Sequence, residues 1–223
     1  MKTLLWDIDG TLLTTNGAGV APFKRAIEAK KGTDIHFSRE DYAGLTDHQI
    51  ANLHLKHLSL SENYSEVLNG VVEAYVGGLE QVLVTNPAQP FPGIIPVLSQ
   101  LSQDDKFQLA VVTGNCVRGA FAKLKSAKLF HFFKEENIFC STGLHSRSEI
   151  VFRAIVNLKL SVGNAVVVGD TLRDVEGARE CGLKSVILFH KEVAHWANSK
   201  DADVFHLGPS WSPNLFLETL KYV

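Results

Sequence analysis

Short apolar runs recur along the chain, each followed by a turn signal. The runs are Thr3–Trp6, Leu109–Val112, Asn137–Cys140, Ala165–Val168 and Ser185–Leu188. They lack the polar alternation of a half-exposed strand, so each is predicted to be a strand covered on both faces. Helical patterns lie between the later runs, with Ile150, Ala154 and Leu158 on one face of such a helix. Strands that alternate with helices predict an α/β fold, with a Rossmann-like parallel sheet and helices on both sides.

One long segment, residues 14–89, breaks this alternation. Its apolar residues fall into helical stripes instead: Val20, Phe23 and Ile27; Ile50, Leu53 and Leu58; and Tyr64, Leu68, Val71 and Tyr75. The segment ends in a proline-rich stretch, residues 86–93, which cannot continue a helix and is predicted to be a linker. We therefore predict an all-helical module at 14–89, inserted into an α/β core formed by 1–13 and 90–223.

Composition narrows the class of protein. The 223 residues are 45% hydrophobic and 21% charged, and the net charge is −2, which is typical of a soluble globular protein. No basic stripe indicates a nucleic-acid track, and no stretch approaches the ~20 apolar residues of a membrane span. The three cysteines form no CxxC pair, which favours reduced thiols in a cytoplasmic protein. The oligomeric state stays open.

Candidate chemistry begins directly after the first predicted strand, at Asp7 and Asp9. Carboxylates at positions i and i+2 leave an extended strand on the same side. At the carboxyl end of a strand they point into the crevice where open α/β sheets bind ligands. Gly10 permits the tight turn that follows. A solvated Asp-Gly turn accounts for this motif alone equally well.

Two later strand ends carry further polar groups. Thr113, Gly114 and Asn115 offer a hydroxyl and backbone N–H groups suited to an anion, although a plain helix cap would look the same. Asp170 ends another strand, and Asp174 follows one helical turn later. Convergence of these acids with the first pair would require a bound cation, and oxygen ligands favour Mg²⁺ over zinc.

Taken together, these motifs resemble those of the haloacid dehalogenase superfamily of phosphohydrolases. The Asp7–Leu12 motif matches the first family motif, Thr113 the second, and Gly169–Asp174 the fourth. The helical insert resembles the family's C1-type cap, and the overall similarity is to phosphoglycolate-phosphatase-like members. The chain lacks the Lys-Pro pair that many relatives carry at the third motif. Residues 146–151 instead resemble relatives that place an arginine there, here Arg147.

The resemblance implies a Mg²⁺-dependent phosphatase acting on a small phosphorylated metabolite. Asp7 would attack phosphorus and form an aspartyl-phosphate, and Asp9 would act as general acid and base. Mg²⁺ would bind Asp7, Asp170 and the backbone carbonyl of Asp9. Thr113, Gly114 and Asn115 would hold phosphoryl oxygens, and Asp174 would order the outer shell of the metal or Arg147.

Arg147 is preferred over Arg153 and Lys159 as the cation that balances phosphate. Arg153 falls within the helical stripe and should point off its core face. Arg147 lies where the next predicted helix begins, whereas Lys159 lies about 12 residues further, or ~18 Å along a helix. In the cap, Asn16 lies near the first hinge, and Thr46 and Asp47 belong to a break in helical periodicity that could read the substrate. Thr46 as an ordinary helix N-cap is an equally good interpretation.

Three other enzyme classes and one non-enzymatic function share parts of this set of motifs. A phosphomutase of the β-phosphoglucomutase type would keep every core residue and differ only in its cap and in the lifetime of the intermediate. A 2-haloacid dehalogenase or a phosphonatase would share the nucleophile but lack the second carboxylate, so Asp9 argues against both. A non-catalytic binding module would not require the intact acidic set.

Overall fold

A six-stranded parallel sheet forms the centre of the structure, a computed structural model that describes residues 1–37, 42–57, 63–191 and 203–223. The sheet strands are β1 (Lys2–Trp6), β4 (Phe107–Thr113), β5 (Ile138–Cys140), β6 (Ala165–Gly169), β7 (Lys184–Leu188) and β8 (Val204–Leu207). Their order is β5-β4-β1-β6-β7-β8. The five predicted strands are confirmed, and β1 lies at the centre between β4 and β6.

Helices cover both faces of this sheet. Those outside the inserted segment are α4 (Ile94–Ser102), α5 (Val117–Ser126), α6 (Arg147–Leu158), α7 (Leu172–Glu180) and α8 (Pro213–Thr219). Side chains of β1 alternate between the faces: Leu4 and Trp6 belong to one buried cluster and Leu5 to another. Both faces are apolar, which explains why the central strands show no polar alternation.

In its described residues the inserted segment has three α-helices, and two very short strands lie at its ends. The helices are α1 (Val20–Lys31), α2 (Asp47–Leu55) and α3 (Tyr64–Thr85). Strand β2 (Leu13–Thr14) pairs antiparallel with β3 (Gln89–Pro90), which brings the two ends of the segment together. In the predicted α2 stripe, Ile50 is buried but Leu53 is 44% exposed, and Leu58 lies outside the described residues. The helix buries Ala51 and Leu55 instead of Leu53.

Helix α3 has the length and mean hydropathy that would allow it to cross a membrane, which the sequence analysis did not anticipate. Its apolar residues are used within the fold, because eight of them, including Val71, Tyr75 and Leu79, are buried. Phe23 of α1 stacks on Tyr75 with 4.1 Å between ring centroids. This burial is typical of the central helix of a globular domain.

Candidate active site

Three neighbouring strands of the sheet end at the same edge. Strand β1 lies between β4 and β6, and all three run parallel. Asp7 follows β1, Thr113 closes β4, and Asp170 follows β6. Helices follow β4 and β6, so this edge is the crevice at which open α/β sheets bind ligands.

Arg147 pairs with two buried carboxylates at this edge. Its Nη1 lies 3.0 Å from Asp7 Oδ1, and its Nε lies 3.2 Å from Asp174 Oδ1. The same Nη1 donates to the Val112 carbonyl oxygen at 3.2 Å. Burial disfavours the charged guanidinium, but the carboxylates of Asp7 and Asp174 raise its pKa above the ordinary value. Arg147 is therefore a fixed cation beside Asp7.

Asp174 is held from both sides. It is fully buried in the first turn of α7, where its Oδ2 accepts the backbone N–H of Thr171 at 3.0 Å and the hydroxyl of Thr171 at 2.7 Å. Its Oδ1 faces the Arg147 guanidinium. Asp174 thus contacts Arg147, which is one of the two partners predicted for it.

Asp170 lies close to the turn after β1. Its Oδ1 accepts the Thr11 hydroxyl at 3.1 Å. Gly10 has a φ of 89°, and a Cβ at this position would lie 2.0 Å from Asp170 Oδ2. Only glycine satisfies both conditions, so the Asp-Gly turn lets the Asp170 carboxylate approach the backbone after Asp7.

Three carboxylates converge closely enough to share one cation. One oxygen from each of Asp7, Asp170 and Asp174 lies within 4.8 Å of the others. Burial, assisted by the neighbouring acids, raises the pKa of Asp7 to about 7 and that of Asp170 well above its ordinary value, although Arg147 acts in the opposite direction. An all-oxygen donor set with excess negative charge fits Mg²⁺. Asp7 and Asp170 line the adjoining cavity, whereas Asp174 is fully buried.

A second network surrounds Asp9. The Asn115 amide nitrogen donates to Asp9 Oδ2 and to the Thr113 hydroxyl oxygen, at 2.7 Å each. Lys123 Nζ lies 2.7 Å from the same Asp9 oxygen and 2.5 Å from the Asn115 amide oxygen. The side chain of Asp9 thus contacts residues that follow β4 and belong to α5.

The loop before α2 closes over the Gly114 loop. The Asp47 N–H donates to the Gly114 carbonyl oxygen at 2.9 Å, and Asp47 Oδ2 accepts the Cys116 N–H at 2.8 Å. Burial raises the pKa of Asp47 to about 6, although Lys123 and the Cys116 N–H act in the opposite direction. Thr46 caps α2 in a capping box with Gln49. Thr46 is therefore a helix N-cap, while Asp47 links the inserted helices to the sheet edge through hydrogen bonds.

A cavity of about 180 Å³ lies between the inserted helices and the sheet edge. Its floor includes Asp7, Asp9, Thr113, Arg147 and Asp170. Its upper wall is largely apolar and aromatic, with Val20, Phe23, Phe37, Tyr42, Leu45, Ile50 and Tyr75. The arrangement suits a small molecule with a charged group below and a compact, less polar portion above.

A sequence profile of the haloacid dehalogenase-like hydrolase family matches residues 4–188. The chain belongs to this family. The match runs from β1 to β7 and so spans every site residue described above. No curated protein matches the sequence significantly.

Solved structures share the fold at low identity. A predicted phosphatase from Clostridium acetobutylicum superposes with a TM-score of 0.75 at 19% identity, over 99% of this chain and 98% of its own. CbbY from Rhodobacter sphaeroides, solved with phosphate, gives 0.73 at 19% identity over 93% of both chains. A candidate β-phosphoglucomutase from Bacteroides vulgatus gives 0.73 at 17% identity, over 99% of this chain and 89% of its own.

Most predicted site residues come together. Asp7, Asp9, Thr113, Gly114, Asn115, Arg147, Asp170 and Asp47 all line the cavity. Lys159 lies at the far end of α6, exposed, as its distance along the helix predicts. Asn16 lies in an exposed turn with a φ of 49°, next to the cavity residues Thr15 and Gly17 rather than among those that line it.

Sequence reasoning missed Lys123. Helix α5 buries Ala120 and Leu124, and Lys123 falls on the same face, with an exposed fraction of only 6%. A lysine within an apolar helical stripe is costly unless it is paired, and that break in the stripe was the available signal.

The cysteines are free, as predicted. Burial raises the pKa of Cys116 and of Cys140 to about 12. Neither thiol is therefore available as a thiolate nucleophile at neutral pH.

Proposed function

We propose that this hydrolase is a Mg²⁺-dependent phosphatase that cleaves a small phosphomonoester through an aspartyl-phosphate on Asp7. The observation that carries the proposal is the contact between the buried carboxylate of Asp7 and the fixed guanidinium of Arg147. A carboxylate attacks a dianionic ester only when the negative charge of the phosphoryl group is offset. The guanidinium of Arg147 supplies this positive charge, because it stays protonated and can donate hydrogen bonds to two phosphoryl oxygens.

Asp7 and Asp170 would hold the metal ion, together with the backbone carbonyl of Asp9. Mg²⁺ bound there would supply positive charge that neutralises the phosphoryl oxygens and the carboxylates. The Thr113 hydroxyl and the backbone around Gly114 would bind the remaining phosphoryl oxygens, since they face the cavity beside Asp7.

The chemistry then proceeds in two displacements. An oxygen of Asp7 forms a bond to phosphorus, and the ester bond breaks as Asp9 gives a proton to the leaving oxygen. Water then attacks the aspartyl-phosphate and gives a proton to Asp9, and the bond from phosphorus to Asp7 breaks to regenerate the carboxylate. The products are an alcohol and inorganic phosphate.

Residues 14–89 would form the cap over a core of 1–13 and 90–223. The β2–β3 pair joins the two ends of the segment, and Asp47 binds the Gly114–Cys116 backbone from above. A closed cap would exclude water from Asp7 and select the leaving group by size and polarity. The alcohol would lie against the apolar and aromatic wall of the cavity.

A panel of phosphomonoesters tests this proposal. Purified protein should release inorganic phosphate in Mg²⁺, and addition of EDTA should stop the release. Full activity after exhaustive chelation would contradict the role of the metal. Transfer of phosphate within a sugar phosphate, with no free phosphate formed, would identify a phosphomutase like the candidate β-phosphoglucomutase that shares the fold.

A further inference from the structure

We propose that Lys123 is a positioning residue that fixes the Asp9 carboxylate and the Asn115 amide for catalysis. This inference rests on the proposed function, because it concerns how the general acid and base of that reaction is held. Lys123 itself is assigned no contact with the transferred group.

The contacts of Lys123 join two strand ends. One ammonium group lies 2.7 Å from the Asp9 carboxylate, which follows β1, and 2.5 Å from the Asn115 amide oxygen, which follows β4. Asn115 closes the triangle by donating its own N–H to the same Asp9 oxygen at 2.7 Å. Two donors on one carboxylate oxygen restrict its rotation far more than one would.

The placement of Lys123 is costly, which argues against an incidental surface pair. The residue is 94% buried, on a helix face that it shares with Ala120 and Leu124. Burying an ammonium is unfavourable unless charge and hydrogen bonds compensate. Lys125, two residues along the same helix, is exposed and lies over the rings of Phe121 and Phe130.

Polar groups of the cap also face this ammonium. Burial acts against the charge of Lys123, but the Asp9 carboxylate, together with Tyr75 and Asp47, raises its pKa above the ordinary value. Tyr75 and Asp47 belong to the inserted helices, so the cation lies where cap, β1 and β4 meet. This location suits a residue that sets the direction of Asp9 while the cap is closed.

A double-mutant cycle separates positioning from other roles. Lys123→Met keeps the length and apolar stem of the side chain but removes the ammonium. We expect kcat on an alkyl phosphate to fall, by up to about 10²-fold, which is the penalty that a small misplacement of a catalytic group can carry. KM should stay close to that of the wild type, because the contacts of Lys123 are to Asp9 and Asn115.

In an Asp9→Asn background, Lys123→Met should cause a much smaller further loss, because only its effect through Asn115 remains. The doubly substituted protein loses both charges of the Lys123–Asp9 pair together and should fold. Lys125→Met is the matched control on the same helix and should behave like wild type. Thermal unfolding of each variant reports stability independently of rate.

Three results would overturn the inference while leaving the phosphatase proposal intact. They are a Lys123→Met rate equal to that of Lys125→Met, a loss that persists in full in the Asp9→Asn background, and a loss seen only as a raised KM. The last two would place Lys123 on the substrate instead of on Asp9. If the wild-type protein released no phosphate in Mg²⁺, the proposed function and this inference would both fall.

Discussion

Arg147 illustrates how a single side chain is placed by several elements at once. Its backbone begins α6, its Nη1 reaches Asp7 after β1, and its Nε reaches Asp174 on α7. Gly177 on α7 makes room, since a Cβ there would lie 2.6 Å from Arg147 Cγ. Such a fixed guanidinium can neutralise charge without reorganising during the reaction.

Replacement of Arg147 should therefore affect both rate and stability. Arg147→Ala leaves the carboxylates of Asp7 and Asp174 buried without their cation, and loss of one partner of a buried pair costs about 3–5 kcal/mol. We expect phosphate release to be crippled and the midpoint of urea unfolding to fall. Lys159→Ala, at the exposed end of the same helix, should change neither quantity. Normal turnover by Arg147→Ala would remove this residue from the mechanism.

At the scale of elements, the hydrogen bonds between the cap and the sheet edge come from the first residues of α2. Thr46 and Gln49 form the capping box that begins the helix, and Asp47 then binds the Gly114 and Cys116 backbone. Residues 44–47 therefore lie directly above the proposed phosphate site. Thr46 is a helix N-cap, and substrate reading by Asp47 stays a prediction.

Asp47→Ala should loosen the closed cap and so change substrate preference. The substitution removes the acceptor for the Cys116 N–H, so the loop should hold less firmly over the cavity. We expect kcat/KM to fall more for esters of larger alcohols than for acetyl phosphate, because the small leaving group of acetyl phosphate makes few contacts with the cap. Leu53→Ala, on the exposed face of α2, is the control. An equal loss on all substrates would instead assign the loop a folding role.

Much of the fold could be predicted because the relevant physics is local in sequence. Buried parallel strands show as uninterrupted apolar runs, and the clustered acidic residues directly follow two of them. Strand β8 and helix α8 escaped prediction: Val204–Leu207 contains a histidine and a phenylalanine that are only partly buried, so no apolar run marks it. Lys123 escaped because its partners, Asp9 and Asn115, are distant or loop residues that only the tertiary structure brings together.

For the whole molecule, the buried acidic groups of the proposed site lower the free energy of unfolding. Burial raises the pKa of Asp7 to about 7, against an ordinary value of 3.8, so the native protein binds this proton more tightly than the unfolded chain does. Through this group, the free energy of unfolding falls as pH rises from about 4 to about 7, and it changes little above that, where Asp7 is ionised in both states. Active sites often retain such unfavourable groups.

Asp7→Asn should therefore stabilise the metal-free protein, and more strongly at high pH. Near pH 8 the substitution removes a buried negative charge, whereas near pH 5 the wild-type carboxyl is already mostly protonated and the two proteins should differ less. Urea unfolding in EDTA at both pH values measures the difference. A stabilisation that is constant with pH, or larger near pH 5, would contradict the ionisation behaviour assigned to Asp7.

Acid-quenched mass spectrometry tests the central claim most directly. The protein is mixed with Mg²⁺ and acetyl phosphate, quenched in acid during turnover, digested and mapped. The wild type should carry one phosphoryl group on the peptide that contains Asp7, and hydroxylamine should remove it as expected for an acyl phosphate. Asp7→Asn should carry none. Rapid phosphate release with no adduct at Asp7, or an adduct on another residue, would contradict the mechanism.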